Sequence, residues 1–378
     1  MSARKASAAE IPDSIIEEGV EDLNEAKEVI PYNFEITSYG ADYDVEGLVR
    51  RMTRGDILVP TFDPQIAETE SGIVGFQRRY VWRKPQADRF IESLLLGLPV
   101  PGIFLVREPS GVLLVLDGQQ RLRTLESFYR GVLLGKEFRL DLVQERFRGL
   151  MYDDLEDDDR RRIDDAIVHA TVVRQDTPTE DQESVYLLFE RLNTGGTSLQ
   201  PQEIRVALYH GRLAGVLRDL NEDENWRAIY GKRSDRLKDQ ELILRFFAML
   251  YYGDQYERPM KVFLNRYMAT NRDLRHQSEE EMFGAFGPAV KVVRDAKSDR
   301  AFRLASALNA AIFDSVLTGV AHRLADDGPI EDLKGLGKAY DRLLRDRGYL
   351  GAVERATADE DSVKTRLAKA HEAFARVS

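Results

Sequence analysis

Asp117, Gly118, Gln119, Gln120 and Arg121 bring a carboxylate, two carboxamides and a guanidinium together within one short stretch of chain. They follow an apolar run, Gly111 to Leu116, and open a segment in which Leu122, Leu125 and Phe128 recur at helical spacing. The continuous run Val112 to Leu116 suits a strand covered on both faces. The polar residues therefore fall where a strand ends and a helix begins. Unpaired N–H groups and the positive end of the helix dipole favour an anion there, phosphate above all. Gly118 lets the backbone approach a ligand, and Arg121 offers a planar fork to phosphate oxygens. The same residues also suit a tight turn in which Asp117 caps the helix and Arg121 is solvated.

Two further blocks surround this one. Upstream, Phe76-Gln77-Arg78-Arg79-Tyr80-Val81-Trp82 precedes a helical pattern from Pro85 to Leu96, with Phe90, Ile91, Leu94 and Leu95 on one face and Gly97 as its stop. Ile103 to Val106 then reads as a strand. Downstream, Glu180 to Leu192 reads as a helix, and Asn193-Thr194-Gly195-Gly196 breaks it ahead of Pro201-Gln202-Glu203-Ile204-Arg205. Asn193, Gly195 and Gly196 can cradle an anion or a base, and the same loop also suits a helix C-cap.

With these blocks in this order, the chain resembles the N-terminal domain family of the GmrSD-type modification-dependent restriction endonucleases, placed in the ParB/sulfiredoxin-like superfamily. The matching elements are Gln-Arg-x-Tyr-Val-Trp, Asp-Gly-Gln-Gln-Arg and Asn-x-Gly-Gly. The resemblance continues through Arg236 to Arg245 and Phe263 to Met268. In the relatives the Asp-Gly-Gln-Gln-Arg element is associated with binding and hydrolysing a nucleoside triphosphate. The resemblance therefore implies that Arg121, the Gly118 backbone and the helix start contact phosphate. It implies that Asp117 holds Mg²⁺ or orients a water, and that Gln119 or Gln120 positions the attacking water or the nucleotide. Gln77 and Arg78 become further nucleotide ligands, Arg78 by stabilising charge on the transferring phosphoryl group. Asn193, Gly195 and Gly196 form the second ligand-binding loop.

Composition narrows the alternatives. Of the 378 residues, 43% are hydrophobic and 31% charged, an ordinary balance for a soluble protein. No stretch approaches the ~18 consecutive apolar residues of a membrane span, and Met1 to Glu10 lack the apolar core of a secretory signal, so a cytoplasmic location is expected. Without cysteine, disulfides and thiolate metal sites are excluded. A net charge of −11 argues against a globally basic nucleic-acid binder. Contact with modified DNA would need a local basic cleft, for which Arg78, Arg79, Arg83 and Lys84, or Arg227, Lys232, Arg233, Arg236 and Lys238, are the candidates. Each cluster suits a solvated face better.

The fold class expected is α+β. Residues 1–40, rich in Glu, Ala and Ser, read as a mobile extension. Residues 41–205 read as a compact ParB/sulfiredoxin-like mixed-sheet domain that binds nucleotide, and residues 206–378 as an all-α domain. Within the sheet domain, Asp44 to Met52 suggests a helix ended by Gly55, Ile57 to Val59 the first strand, Thr61 to Gly75 a loop, and His169 to Val173 a later strand. The acidic run Asp153 to Asp159, ahead of Arg160, Arg161 and Arg162, invites a metal site but suits the first turn of a helix better. Beyond Pro201 only helices are expected, with Phe302, Leu304, Leu308, Ile312 and Leu317 among their apolar positions.

The expected function is a nucleotide-binding, NTP-hydrolysing component of a modification-dependent restriction or anti-phage system, with a separate nuclease subunit as partner. The alternative is a non-enzymatic DNA-binding or regulatory module. His169, His210, His276, His322 and His371 form no metal-ligand pair at i,i+4, and no His-Asn-His pattern or Walker-type loop is found. Purified protein incubated with modified and unmodified plasmid, Mg²⁺ or Mn²⁺ and each NTP is expected to leave the DNA uncut. Nicking that copurifies with the chain and disappears in Asp117→Asn would overturn this.

Overall fold

The computed structural model describes residues 20–21, 35–59, 82–177, 183–192 and 199–378. The chain separates into two units. One comprises Glu28–Asp219 and Pro259–Glu279, the other Met1–Lys27, Leu220–Arg258 and Glu280–Ser378. The chain thus passes between units more than once.

The first unit is built on a mixed five-stranded sheet. Its strands are β1 (Glu35–Asp44), β2 (Ile57–Leu58), β3 (Ile103–Arg107), β4 (Leu113–Asp117) and β5 (Ile167–Thr177), in the spatial order β1-β5-β3-β4-β2. β1 runs antiparallel to β5 with Asp42 opposite His169, and β5 runs parallel to β3 with Thr171 opposite Phe104. β3 and β4 form an antiparallel hairpin whose register shifts between Phe104 and Leu105, and β4 runs parallel to β2. A bulge of this kind re-aims the residues beside it, and here it lies opposite Asp117.

Helices α1 (Val45–Arg54), α2 (Lys84–Leu95), α3 (Gln119–Tyr129) and α4 (Asp157–Asp164) supply the rest of this unit's core. Leu48, Ile91, Leu122, Leu125 and Phe128 pack with Ile57, Leu105, Val115 and Val172 of the sheet, all buried. α1 starts and stops on local chemistry. The Asp44 carboxylate accepts the Gly47 N–H, and Gly55, at φ +79°, donates back to Met52 O while Asp56 N donates to Arg51 O. The acidic residues Asp157, Asp158 and Asp159 form the first turn of α4, as expected, and Arg161 and Arg162 pair with Asp158 and Asp159 one turn back. Helices α5 (Glu183–Leu192), α6 (Pro201–Leu208) and α10 (Met260–Asn271) complete the unit. Every residue of α6 is buried. Its Arg205 donates from Nε to Asn265 Oδ1 on α10 at 2.8 Å and from Nη1 to Gln202 Oε1. Two of the motif blocks read in the sequence thus meet side chain to side chain.

Two expectations are corrected. Residues 35–40, assigned to a mobile extension, belong to β1, whose outer residues are exposed and show no apolar pattern. Phe302 to Leu308 are not helical. Phe302 sits at φ +64°, Arg303 bridges to Leu308, and Leu308–Asn309 pairs in parallel with Val20–Glu21. The expected loop Thr61 to Gly75 lies almost wholly outside the described residues.

The second unit is helical apart from that short ladder. Its helices include α8 (Glu224–Tyr230), α9 (Lys238–Tyr252), α12 (Ala310–Asp327), α13 (Leu333–Leu343), α14 (Arg347–Glu354) and α15 (Glu360–Phe374). A buried ion cluster joins three of them. Asp314 on α12 accepts Arg245 Nε from α9 at 2.6 Å, and both Nε and Nη2 of Arg366 from α15 at 2.9 Å. Asp314 and Arg366 are fully buried and Arg245 nearly so. Removing one partner of a buried ion cluster leaves uncompensated charge, which costs about 3–5 kcal/mol. Asp314→Ala is therefore expected to lower the unfolding free energy in urea by about that much. A loss within the error of the wild type would show that the cluster does not hold these helices together.

Candidate functional site at the β4–α3 junction

β4 buries Leu113, Leu114, Val115 and Leu116 and emerges into solvent at Asp117. The chain turns at Gly118, φ +98°, and α3 begins at Gln119. A Cβ at position 118 would stand 2.4 Å from Cγ2 of Ile103, at the start of β3. Both the dihedral and the space demand glycine. Gly118, the residue before α3, has no side chain to cap it, and among the described residues Asp117 makes no capping bond.

Asp117 instead faces Arg121. Arg121 Nη2 donates to Asp117 Oδ2 at 2.7 Å and to the Gly102 carbonyl at 2.9 Å. The Arg121 side chain is 15% exposed, against 50% for Asp117. Arg121 is thus not the solvated group of the turn reading. It clasps the carboxyl end of β4 and the residue before β3, and its Nε is buried with no hydrogen-bond partner. A guanidinium carries five donors, so two bonds from one nitrogen leave the rest for a ligand.

Gln120 is reached from upstream. Its Oε1 accepts the backbone N–H of Trp82 at 3.3 Å, which ties the end of the Gln-Arg-x-Tyr-Val-Trp block to the first turn of α3. Trp82 is held in turn by an edge-to-face contact with Phe90 of α2, centroids 5.5 Å apart. Gln119 is half-buried beside it. Gln77, Arg78, Asn193, Gly195 and Gly196 lie outside the described residues, as does Arg79. Arg123, which the motif reading passed over, belongs to the same helix. It donates to Val59 O at 3.2 Å, and burial pushes its guanidinium pKa below the ordinary value. Its position two residues past Arg121, on the flank of α3, carried no motif signal.

Several members of the basic clusters are paired. Lys84 donates to Asp88 and to Arg139 O. In the second unit Arg227 turns inward, donating to Asp239 Oδ2 at 3.1 Å and Asn221 Oδ1 at 2.9 Å, and Arg233 pairs with Glu222. Among the described residues no group of three or more His, Asp or Glu side chains is arranged to hold a metal ion. No described helix is long and apolar enough to cross a membrane.

Residues 65–210 match the GmrSD restriction endonuclease N-terminal domain family. The family read from the motif blocks is thereby supported for this GmrSD-like segment, which contains the β4–α3 junction. No curated protein matches the chain. The α+β class also holds, with a mixed five-stranded sheet in the N-terminal part, three of its strands within the matched residues, and helices beyond it.

Gly118→Ala is expected to destabilise the fold by about 1–3 kcal/mol, the usual range for a forced backbone or an overpacked core. Thermal unfolding of the variant measures it. A melting temperature equal to the wild type would show that neither the positive φ nor the Ile103 contact constrains position 118.

Proposed function

We propose that this chain is the nucleotide-binding component of a restriction or anti-phage defence system, with a nucleoside triphosphate bound at the β4–α3 junction. One observation carries the reading. The start of α3, entered through a glycine that keeps side chains out, and the buried Nε of Arg121, without a hydrogen-bond partner among the described residues, lie at the same junction. Donors of both kinds suit phosphate oxygens. The five-stranded mixed sheet around it supports the ParB/sulfiredoxin-like reading of the fold.

In this reading Arg121 and the α3 N–H groups bind phosphate, while Gln120, anchored through Trp82, positions a water or the nucleotide. Gln119 lines the same turn. Gln77 and Arg78, with Asn193, Gly195 and Gly196, are carried over from the family motifs as further nucleotide ligands. Asp117 is the carboxylate available to Mg²⁺, which commonly takes one or two protein carboxylates and completes its shell with phosphate and water. When bound, that ion would neutralise charge on the phosphates. The donor set fits such a site as a single-carboxylate one, with Arg121 as the competitor for Oδ2. Modified DNA and a separate nuclease subunit are the partners this function calls for.

The Asp117–Arg121 pair also favours a second reading. Each group already neutralises the other, which suits a module that binds nucleotide without turning it over and passes the signal to DNA or a partner. Two variants separate the readings. Arg121→Ala is expected to weaken NTP binding by calorimetry about 10- to 150-fold, the worth of a charge-assisted hydrogen bond. Asp117→Asn is expected to keep binding and to lower phosphate release by ~10²-fold or more. Affinity unchanged in Arg121→Ala defeats the phosphate site. Wild-type phosphate release that is absent for all four NTPs moves the assignment to the sensing module.

A further inference from the structure

The opposite end of the same sheet holds a second feature. Glu108 follows β3 and opens the hairpin to β4, with its N–H donating to Val112 O and its carbonyl accepting the Gly111 N–H. A hairpin residue of this kind ordinarily points a carboxylate into water. Glu108 is instead 9% exposed, and its Oε1 is buried with no hydrogen-bond partner. The His210 imidazole stands 4.0 Å away, outside hydrogen-bond reach. A buried carboxylate oxygen without a donor is costly, so a donor that arrives with a ligand is strongly favoured.

Glu108 lines a cleft of about 290 Å³ with Val106, Arg107, Arg174, Asp176 and Val185. The cleft lies at the carboxyl ends of β3 and β5, which run parallel, and ligands of open α/β sheets gather at that end of parallel strands. Arg107 donates from Nε to Tyr39 Oη at 3.1 Å, and Arg174 to Asp176 at 2.7 Å. Both are exposed guanidiniums with further donors. Arg107 stands beside the carboxylate and disfavours a cation as its partner, while Arg174 is already paired with Asp176. The fit is a neutral N–H donor edge for Glu108 and an anion for the remaining donors of Arg107 and Arg174.

The geometry points to a second nucleotide site at this cleft, one that reads a guanine base. Among the common bases guanine alone offers two adjacent N–H donors of its ring and amino group to one carboxylate, and its phosphate reaches Arg107 and Arg174. This site is separate from the β4–α3 junction and does not depend on hydrolysis there.

Calorimetric titration of GMP, guanosine and AMP into the full chain tests it. The wild type is expected to bind GMP more tightly than guanosine, and AMP about tenfold or more weaker. Glu108→Gln, which replaces one acceptor oxygen by a donor, is expected to weaken GMP binding about 10- to 150-fold. Arg107→Ala, at an exposed position that leaves the buried carboxylate untouched, is expected to weaken GMP and leave guanosine unchanged. Arg121→Ala, which weakens binding at the β4–α3 junction, is expected to bind GMP at this cleft as the wild type does. No GMP binding at millimolar concentration, equal affinity for AMP, or wild-type affinity in a folded Glu108→Gln would each overturn the inference. So would loss of GMP binding in Arg121→Ala, because the nucleotide would then sit at the other end of the sheet.

Discussion

The contact between the Gly118 backbone and the Ile103 side chain sets the geometry of the GmrSD-like segment. Because position 118 has no room for a Cβ, β4 can end, reverse direction and enter α3 directly against the start of β3. That closeness places Arg121 within reach of both Asp117 and Gly102 O. The register shift at Phe104 and Leu105 answers the same constraint from the β3 side. Strand end, helix start and hairpin register are therefore one arrangement, and the polar residues of the motif take their positions from it.

Much of this was legible in the sequence because the signals were local. The continuous apolar run ending at Asp117, the helical spacing of Leu122, Leu125 and Phe128, and Gly55 and Gly97 as stops each depend on a few neighbouring residues. What escaped were features decided across the chain. β1 is a long strand with an exposed outer stretch, Glu35 to Gly40, so it has no apolar alternation to read. Phe302 and Leu308 are buried like helix residues, but a left-handed backbone and a two-residue ladder bury them. The candidate site divides the same way. The turn and the helix start were readable, whereas the partnering of Asp117 with Arg121 rather than with the helix N-terminus needed the fold. Glu108 gave no signal at all, since nothing local distinguishes a hairpin glutamate that turns inward from one that is solvated.

Buried charge in the helical unit is held in networks. Asp314, Arg245 and Arg366 close on one another, and Asn221, Trp226, Arg227 and Asp239 form a second network in which Arg227 Nε stays buried without a hydrogen-bond partner. Such networks fix helix against helix. In the sheet unit, Arg121 Nε and Glu108 Oε1 remain open at opposite ends of the sheet.

The division of the chain between units bears on the order in which it is made. Arg205, fully buried on α6, meets its partner Asn265 only after another sixty residues of chain, most of which belong to the other unit. A nascent chain that has just emerged past residue 219 therefore lacks α10 and with it the Asn265 acceptor of Arg205 Nε. Completion waits for Pro259–Glu279, so the sheet unit is not complete from its N-terminal residues alone. Synthesis of α8 and α9 must intervene, and this insertion couples the timing of one unit's closure to the emergence of the other.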